Sequence, residues 1–459
     1  MYDFAVIGSG VSGGRIAHEL TKQGGRCILL EAGKAYQNNT FPNNEMDYST
    51  KLFWGGGLEI STNGSLGFLR AKCLGGTSIV NQALLDRFDS LVWDEWSSRS
   101  NISFFNKKTL EPFYQKVEND LSIQSIPKEH WNENAKKFIN GFDNLGYQWS
   151  PLKRAQKECR LDKGSDCIVC LGGCPRDSKQ SSLVTSIKQG LSHGLNVETE
   201  FEVSHIKSNS NSVTVFGNQN GEKKTITCSK LVLAGGAMGN SKILLRSKLK
   251  NVNTVGENFS CHPQFMTFAF FDEPINAHKG AFQSVKSTDQ SFRKAGYKFE
   301  NVFAPPIGTS MLFSGIRKKH QNYMKKYKHL ASLEICVKDE PNGKITLDKN
   351  GNLKVKKEIT QQDKRRIKHG FSVIEDLYGS LGAKHLFQST QGFGLHLMGG
   401  CQIGTNPKTS VINPEFKLHE HPLIYAADSS IFPSAPGINP SLTIMALSEK
   451  AAEQIIKDS

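Results

Sequence analysis

No stretch of the 459 residues approaches the roughly 18 consecutive apolar side chains of a membrane-spanning helix, so no such span is expected. A charged leader with an apolar core is not expected either, because the first apolar strand already begins at Tyr2. A cytoplasmic location is the resulting expectation. No nucleic-acid-binding module is recognisable, and no period repeats along the chain. Apolar residues make up only 37%, yet 42 glycines and regular patterning still describe a globular chain, long enough for two or three domains. Acids are in short supply, 43 against 57 Lys and Arg, which gives a net charge of +14. Much of the excess lies in Arg317 to Lys328 and Lys354 to Lys368. Such segments either contact an anionic surface (lipid, acidic glycan or phosphorylated substrate) or form a solvated lysine-rich face.

Glycine is what the chain has in plenty, and its placement carries chemistry. Tyr2 to Ile7 reads as a strand, and Gly8-Ser9-Gly10-Val11-Ser12-Gly13 follows at once, opening a helix from Val11 to about Lys22. In G-x-G-x-x-G the first glycine permits the turn, the second lets a pyrophosphate approach, and the third packs helix against strand. The helix start offers unpaired amides and a positive dipole end to the phosphates. Cys27 to Leu30 is the next strand, and Glu31 ends it 18 residues after Gly13, where a carboxylate accepts hydrogen bonds from a ribose. That acid disfavours a 2′-phosphate. A dinucleotide is therefore expected on Gly8, Gly10, Gly13 and Glu31.

After this unit comes a polar excursion over residues 34 to 65, then Leu74-Gly75-Gly76-Thr77-Ser78-Ile79-Val80-Asn81, whose paired glycines suit a backbone lying close to a flat ligand. Residues 93 to 150 read as mainly helical with aromatic anchors. Strand patterns follow over 197 to 216, and Leu231 to Ala237 is a buried strand entering a glycine turn and a helix. Between 263 and 388, β-rich runs such as Phe265 to Phe271 and Leu330 to Val337 lead to an amphipathic helix with Ile367, Phe371, Ile374, Leu377 and Leu381 on one face. The last segment returns to glycine turns, a strand at Leu423 to Ala427, and a helix from Pro440 to about Ile456. The expected organisation is α/β: a discontinuous, three-layer Rossmann-like nucleotide domain of residues 1–262 and 389–459, with a cysteine-rich insert at about 157–180. A second, substrate-binding domain on an antiparallel β-sheet is expected over 263–388.

Five blocks in order resemble the glucose-methanol-choline (GMC) family of FAD-dependent oxidoreductases: the N-terminal motif with Glu31, Leu74 to Asn81, Gly256 to Pro263, His396-Leu397-Met398-Gly399-Gly400-Cys401, and Asp428 through Asn439-Pro440 to Glu449. The His-x-x-Gly-Gly-Cys form and the Asn before the proline look most like the cholesterol-oxidase branch, a likeness of motif that does not identify a sterol. The resemblance implies FAD and oxidation of a CH–OH group by proton abstraction and hydride transfer to flavin N5. It places His396 as the base over the ring, a task that suits imidazole, and Asn439 as the amide orienting the substrate oxygen. It further implies that Gly75, Gly76 and Asn81 lie against the flavin, Val203 at the adenine, and Ala427 and Asp428 near the ribityl and pyrophosphate. Asn439 and Pro440 start a helix whose dipole would stabilise negative charge on the reduced flavin. His262 sits at the domain junction, where a structural role is as open as a functional one. His419 and His421 without further ligands read as a loop edge rather than a metal site.

Ten cysteines are present, four of them (Cys159, Cys167, Cys170, Cys174) within 16 residues. Cys167-x₂-Cys170-x₃-Cys174-Pro175 reproduces the last three ligands of a bacterial ferredoxin spacing, with Cys159 upstream as a substitute for the first. Three or four thiolates suit a [3Fe-4S] or [4Fe-4S] cluster, four suit zinc, and reduced packed thiols are the remaining reading. A cluster would pass electrons to an external acceptor and make the protein a sugar, polyol or other alcohol dehydrogenase. Without one, an H₂O₂-producing oxidase stands open, as does a hydroxynitrile-lyase-like enzyme that keeps FAD. The sequence leaves the substrate and the electron acceptor undetermined.

Overall fold

A computed structural model of the chain describes residues 1–159, 169–252, 254–281 and 283–459, with Val169 and Cys170 described by backbone alone. Tyr2–Ile7 is the middle of a parallel sheet that runs Asn196–Glu198, Cys27–Leu30, Tyr2–Ile7, Glu222–Leu233, His421–Ala426. Both faces of its central strands are covered, which is why they read as continuous apolar runs rather than alternating ones. Glu222–Leu233 leaves this sheet at its N-terminal end and pairs antiparallel with Val213–Gln219, which pairs with Phe201–Ser208 to make the outer layer.

On the other face the helices Val11–Lys22 and Ser441–Lys457 pack together, so the two ends of the chain meet over the first strand. Their contact is locked by charge. Arg15 pairs with Glu449 at 2.6 Å, both side chains buried, and Lys116 of helix Lys107–Asp120 reaches Glu449 and, at 2.8 Å, Glu19.

The second sheet runs Glu59–Ile60, Leu66–Phe68, Gly392–Met398, Ser260–Phe270, Leu330–Val337, Tyr297–Asn301, Val285–Ser287, Trp149–Pro151, with His385–Gln388 alongside the far half of Ser260–Phe270. The helices Gln361–Ser380 and Glu133–Leu145 cover its outer face, burying Ile374, Leu377 and Phe138 against Phe299 and Leu333. A capping box of Thr360 and Asp363 starts the longer helix. This sheet is wider than the 263–388 span expected for it. It recruits strands from 59–68 and 149–151, and the strand carrying His396 belongs to it rather than to the C-terminal part of the nucleotide domain. The C-terminal helix begins at Ser441, one residue later than expected, with Pro440 as its N-cap.

Candidate active site

The N-terminal glycines divide by their surroundings. Gly8 has φ +99°, and a Cβ there would lie 2.3 Å from the Ala234 carbonyl oxygen; at Gly13 it would lie 1.8 Å from that of Gly8. A Cβ on Gly10 would meet nothing within 4 Å. The first and third glycines are thus demanded by packing, and the second faces the open space a pyrophosphate needs.

Serines tie this turn to the rest of the cradle. Ser9 Oγ donates to Glu31 Oε2 (2.6 Å) and accepts from the Gly75 amide (2.9 Å). Ser78 Oγ donates to the Gly75 carbonyl (2.6 Å) and accepts from the Ser182 amide (2.9 Å), while Ser182 Oγ donates to the Gly10 carbonyl (3.1 Å). Gly75 (φ +96°) and Gly76 (φ +56°) take conformations that favour glycine, and a Cβ on Gly76 would press on Gly10 at 2.9 Å. Glu31 Oε2 also accepts from the Ser9 amide and Oε1 from Gly33, leaving Oε1 one lone pair for a ribose hydroxyl. Burial raises the Glu31 carboxyl despite these donors.

Between the two glycine loops and the C-terminal helix runs a cavity lined by Val11, Ser78, Asn81, Ser182, Ser441 and Met445. The end of the helix that opens onto it has no side-chain cap, so its first amides are free to meet a ligand. Asn81 fixes the loop by accepting from Ala83 at 3.0 Å, and Ala83 itself has φ +54°. Asp428 accepts from Gly236, Asn240 and Ser430 and so clamps the end of the last parallel strand to helix Gly236–Ser247, with Ala427 buried beside it. Val203 is buried in the outer layer. An open second glycine, an uncapped helix end and a carboxylate with spare acceptor capacity together fit FAD.

The second sheet brings two histidines together. His396 Nδ1 lies 2.9 Å from His262 Nδ1, with the rings nearly perpendicular. A register shift between Ser260 and His262 bulges the pairing with Gly392–Met398, and His396 takes φ +54°, a strained conformation for a non-glycine residue. Gly399 and Gly400 follow in the same region of φ, and a Cβ on either would strike Asn258 O or Ser241 Oγ within 2.5 Å.

The protons on this pair follow from its neighbours. The Gly437 amide donates to His262 Nε2 at 2.8 Å, so that nitrogen is an acceptor and the His262 proton sits on Nδ1. His262 Nδ1–H can then only donate to His396 Nδ1, which places the His396 proton on Nε2. Burial, with the Lys298 cation second, pushes His396 down to about 3, and burial with the His396 ring second holds His262 well below its usual value. Both rings are neutral, and His396 presents an N–H.

Asn439 is buried nearby, two residues beyond Gly437. Its Nδ2 donates to Glu300 Oε1 (3.0 Å) and Asp86 Oδ2 (3.3 Å), so both amide protons are taken and Oδ1 remains as an acceptor. Those carboxylates belong to a buried charged band. Cross-strand pairing aligns Lys286 with Glu300 and Glu300 with Glu334, and in the next row Lys298 with Cys336 and Cys336 with Gln264. Lys298 bonds Glu300 at 2.5 Å, Lys286 bonds Asp86, and Gln283 Nε2 bonds Glu300 at 2.6 Å. Burial pulls Lys298 down, but the Glu300 and Asp86 carboxylates outweigh it and keep the ammonium charged. Glu334, pushed up to about 8 by burial and then by the Glu300 charge, is a carboxylic acid at neutral pH. Cys336 Sγ is within 4.8 Å of the histidine nitrogens, a metal-ligand composition, but the two Nδ1 atoms already bond each other.

The sequence reading did not assign His262, Asp86, Lys298, Glu300 or Glu334 to this site. A signal existed for Glu334, the single charged residue in a fully buried strand, Leu330–Val337. Of the cysteine insert, Cys159 and Cys174 are partly buried, whereas Cys167 and the side chain of Cys170 lie outside the described residues. His419 and His421 bond separate partners, Ser410 Oγ at 3.0 Å and the Lys250 carbonyl at 2.9 Å.

Residues 49–264 and 340–448 match the N- and C-terminal models of the GMC oxidoreductases. Among curated relatives, a long-chain-alcohol oxidase of Arabidopsis thaliana is 25% identical over 515 residues, covering 99% of this chain and 67% of that protein. An uncharacterized GMC-type oxidoreductase of Mycobacterium tuberculosis is 23% identical over 484 residues, covering 99% of the chain and 76% of the relative. Among solved structures, pyridoxine 4-oxidase from Mesorbium loti superposes with a TM-score of 0.74 at 14% identity, covering 100% and 99% of the two chains. Formate oxidase, covering 100% and 98%, gives 0.73 at 12%. These likenesses do not single out the cholesterol-oxidase branch. With the two family models together spanning most of its length, and with a cradle that fits the family's cofactor, the chain belongs to the GMC oxidoreductases, FAD-dependent flavoproteins.

Proposed function

We propose that this protein oxidises the CH–OH group of an alcohol beside His396 and Asn439, at the charged face of the second sheet. The observation that carries this reading is the complementary pair His396 Nε2–H and Asn439 Oδ1, one donor and one acceptor, which a hydroxyl group satisfies on both sides. FAD, when bound, supplies the hydride acceptor. The protein's residues hold the hydroxyl: Asn439 Oδ1 accepts its O–H, and His396 donates to its oxygen and stabilises the alkoxide as the proton leaves. In this hydrogen-bond arrangement His396 has no free lone pair, so it serves as donor rather than as the base its motif implies. The proton sink is then a carboxylate beside Asn439, Glu300 or Asp86, reached when the hydroxyl turns its O–H from Asn439 Oδ1 onto that carboxylate; Lys298 bridges the two acids.

The relative that acts on long-chain alcohols supports an alkyl alcohol as substrate, and the names of the oxidases among its relatives support O₂ as electron acceptor. A second reading rests on the Cys167-x₂-Cys170-x₃-Cys174 spacing: a cluster there, with Cys159, would make the enzyme a sugar or polyol dehydrogenase. The experiment is a screen of alkyl alcohols against sugars with the flavin spectrum recorded. Anaerobic bleaching by an alkanol, with oxygen-dependent peroxide release on reopening to air, is the expected result. Turnover without bleaching would instead indicate a lyase, and bleaching by sugars with electrons going only to an artificial acceptor would indicate a dehydrogenase.

A further inference from the structure

Four large apolar side chains stand open to solvent where two short helices meet. Met46 is exposed to 58%, Ile307 to 39%, Met311 to 64% and Ile316 to 79%. Helix Glu45–Leu52 and helix Pro306–Leu312 are joined by the Glu45 carboxylate, which accepts from the Ile307 amide at 2.8 Å and the Gly308 amide at 2.6 Å. Directly after Ile316 the chain enters helix Lys318–Lys325, which buries no residue. Arg317, Lys318, Lys319, Lys325, Lys326 and Lys328 are all exposed, and no acid occurs between Glu300 and Glu334. The neighbouring acids are engaged: Glu45 on the two amides, and Asp47 with Asn44 and with Lys51 at 3.4 Å.

The platform under these residues is rigid. Leu312 and Phe313 are buried in the core of the second sheet, Phe313 stacks on Tyr323 with ring centroids 4.9 Å apart, and His320 Nε2 bonds the Ser310 carbonyl at 2.9 Å. A solvated lysine-rich face would account for the cations alone. It does not account for four exposed apolar side chains beside them, whereas an anionic bilayer uses both, burying the apolar tip and attracting the cations. An acidic protein or polymer would be held by the charge and gain nothing from the exposed apolar tip.

We propose that the surface formed by Met46, Ile307, Met311 and Ile316 with the cations of residues 317–328 docks on an anionic lipid bilayer. No helix among the described residues is long and apolar enough to cross a membrane, so the contact is with its surface. Only residues 301–305 separate Glu300 in the active site from this helix, a reach of about 20 Å at most. On the reading above, the docked face would deliver membrane-dissolved alcohols to the active site.

Co-sedimentation of the full-length FAD-loaded protein with vesicles tests the docking without any substrate. Binding to vesicles containing about one-third phosphatidylglycerol is expected to exceed binding to pure phosphatidylcholine at least tenfold and to fall with added salt. Ile316→Glu with Met311→Glu should lower it at least tenfold, with flavin absorbance and oxidation of a short soluble alcohol unchanged. Lys318→Glu with Lys319→Glu provides a second, purely electrostatic variant should the first fail to fold. Equal binding to both vesicle types, no binding to either, or retention on heparin by a protein that ignores vesicles would each overturn the proposal. Vesicle binding by an enzyme that oxidises no alkanol would leave docking standing and remove the substrate reading.

Discussion

Burial pushes the His396 imidazole down to about 3, so its own titration falls outside any practical pH–rate profile. His396→Ala is expected to lower kcat/KM by about 10²- to 10⁴-fold with FAD retained, and Glu300→Gln should cause a loss in kcat of similar order if that carboxylate takes the proton. Equal kinetics for wild type and Glu300→Gln would return the proton to the histidine pair. Glu334 gives a stability prediction with a defined sign. Its folded-state value of about 8 lies above the roughly 4.3 of an exposed glutamate, so the native state holds a proton that the unfolded chain has lost. Stability contributed by this residue is therefore complete below about pH 4 and declines as pH rises to about 8, by up to about 1.4 kcal/mol per unit. Glu334→Gln should raise the melting temperature at pH 8 and leave it unchanged near pH 4, as scanning calorimetry can test.

At the scale of elements, the uncapped start of the C-terminal helix faces the cavity through Ser441. Ser441→Asp would oppose its dipole and is expected to lower the two-electron flavin potential by roughly 10–20 mV, measurable by dye-linked reduction. No shift would mean that the helix end does not sense the flavin. The same helix is held to the glycine-turn helix by the buried Arg15–Glu449 pair. Glu449→Leu leaves Arg15 with Asp120 as its remaining carboxylate partner and should destabilise the fold by about 1–3 kcal/mol, readable as a shift in denaturant midpoint. Local patterning exposed these elements well: the strand, glycine turn and helix of residues 2–22 and the amphipathic face around Ile374 are legible because their periods are short. His262 and the band of Asp86, Lys298 and Glu300 were not, because their partners lie in distant strands. Lys298 faces Cys336 and His262 faces His396 only once register is set, and a single sequence does not state register.

Across the whole molecule, the glycine blocks and His396 mark a flavin site from both ends of the chain, and the wide second sheet supplies the wall that the motifs leave out. Iron and acid-labile sulfide assays on anoxically purified protein address the cysteine spacing. Neither element is expected in an oxidase that hands electrons to O₂, and about three or four irons per flavin would establish the cluster.

The central strand Tyr2–Ile7 has neighbours of very different origin: Cys27–Leu30 follows after a single helix, but Glu222–Leu233 emerges from the ribosome more than 200 residues later. At bacterial or eukaryotic synthesis rates that strand waits roughly 10–50 s with one apolar edge unpaired. The helix that closes its other face, Ser441–Lys457, is made more than 200 residues after that strand. Cofactor capture therefore waits until that helix has been made, and until then the nascent chain is a natural client for chaperones that shield strand edges.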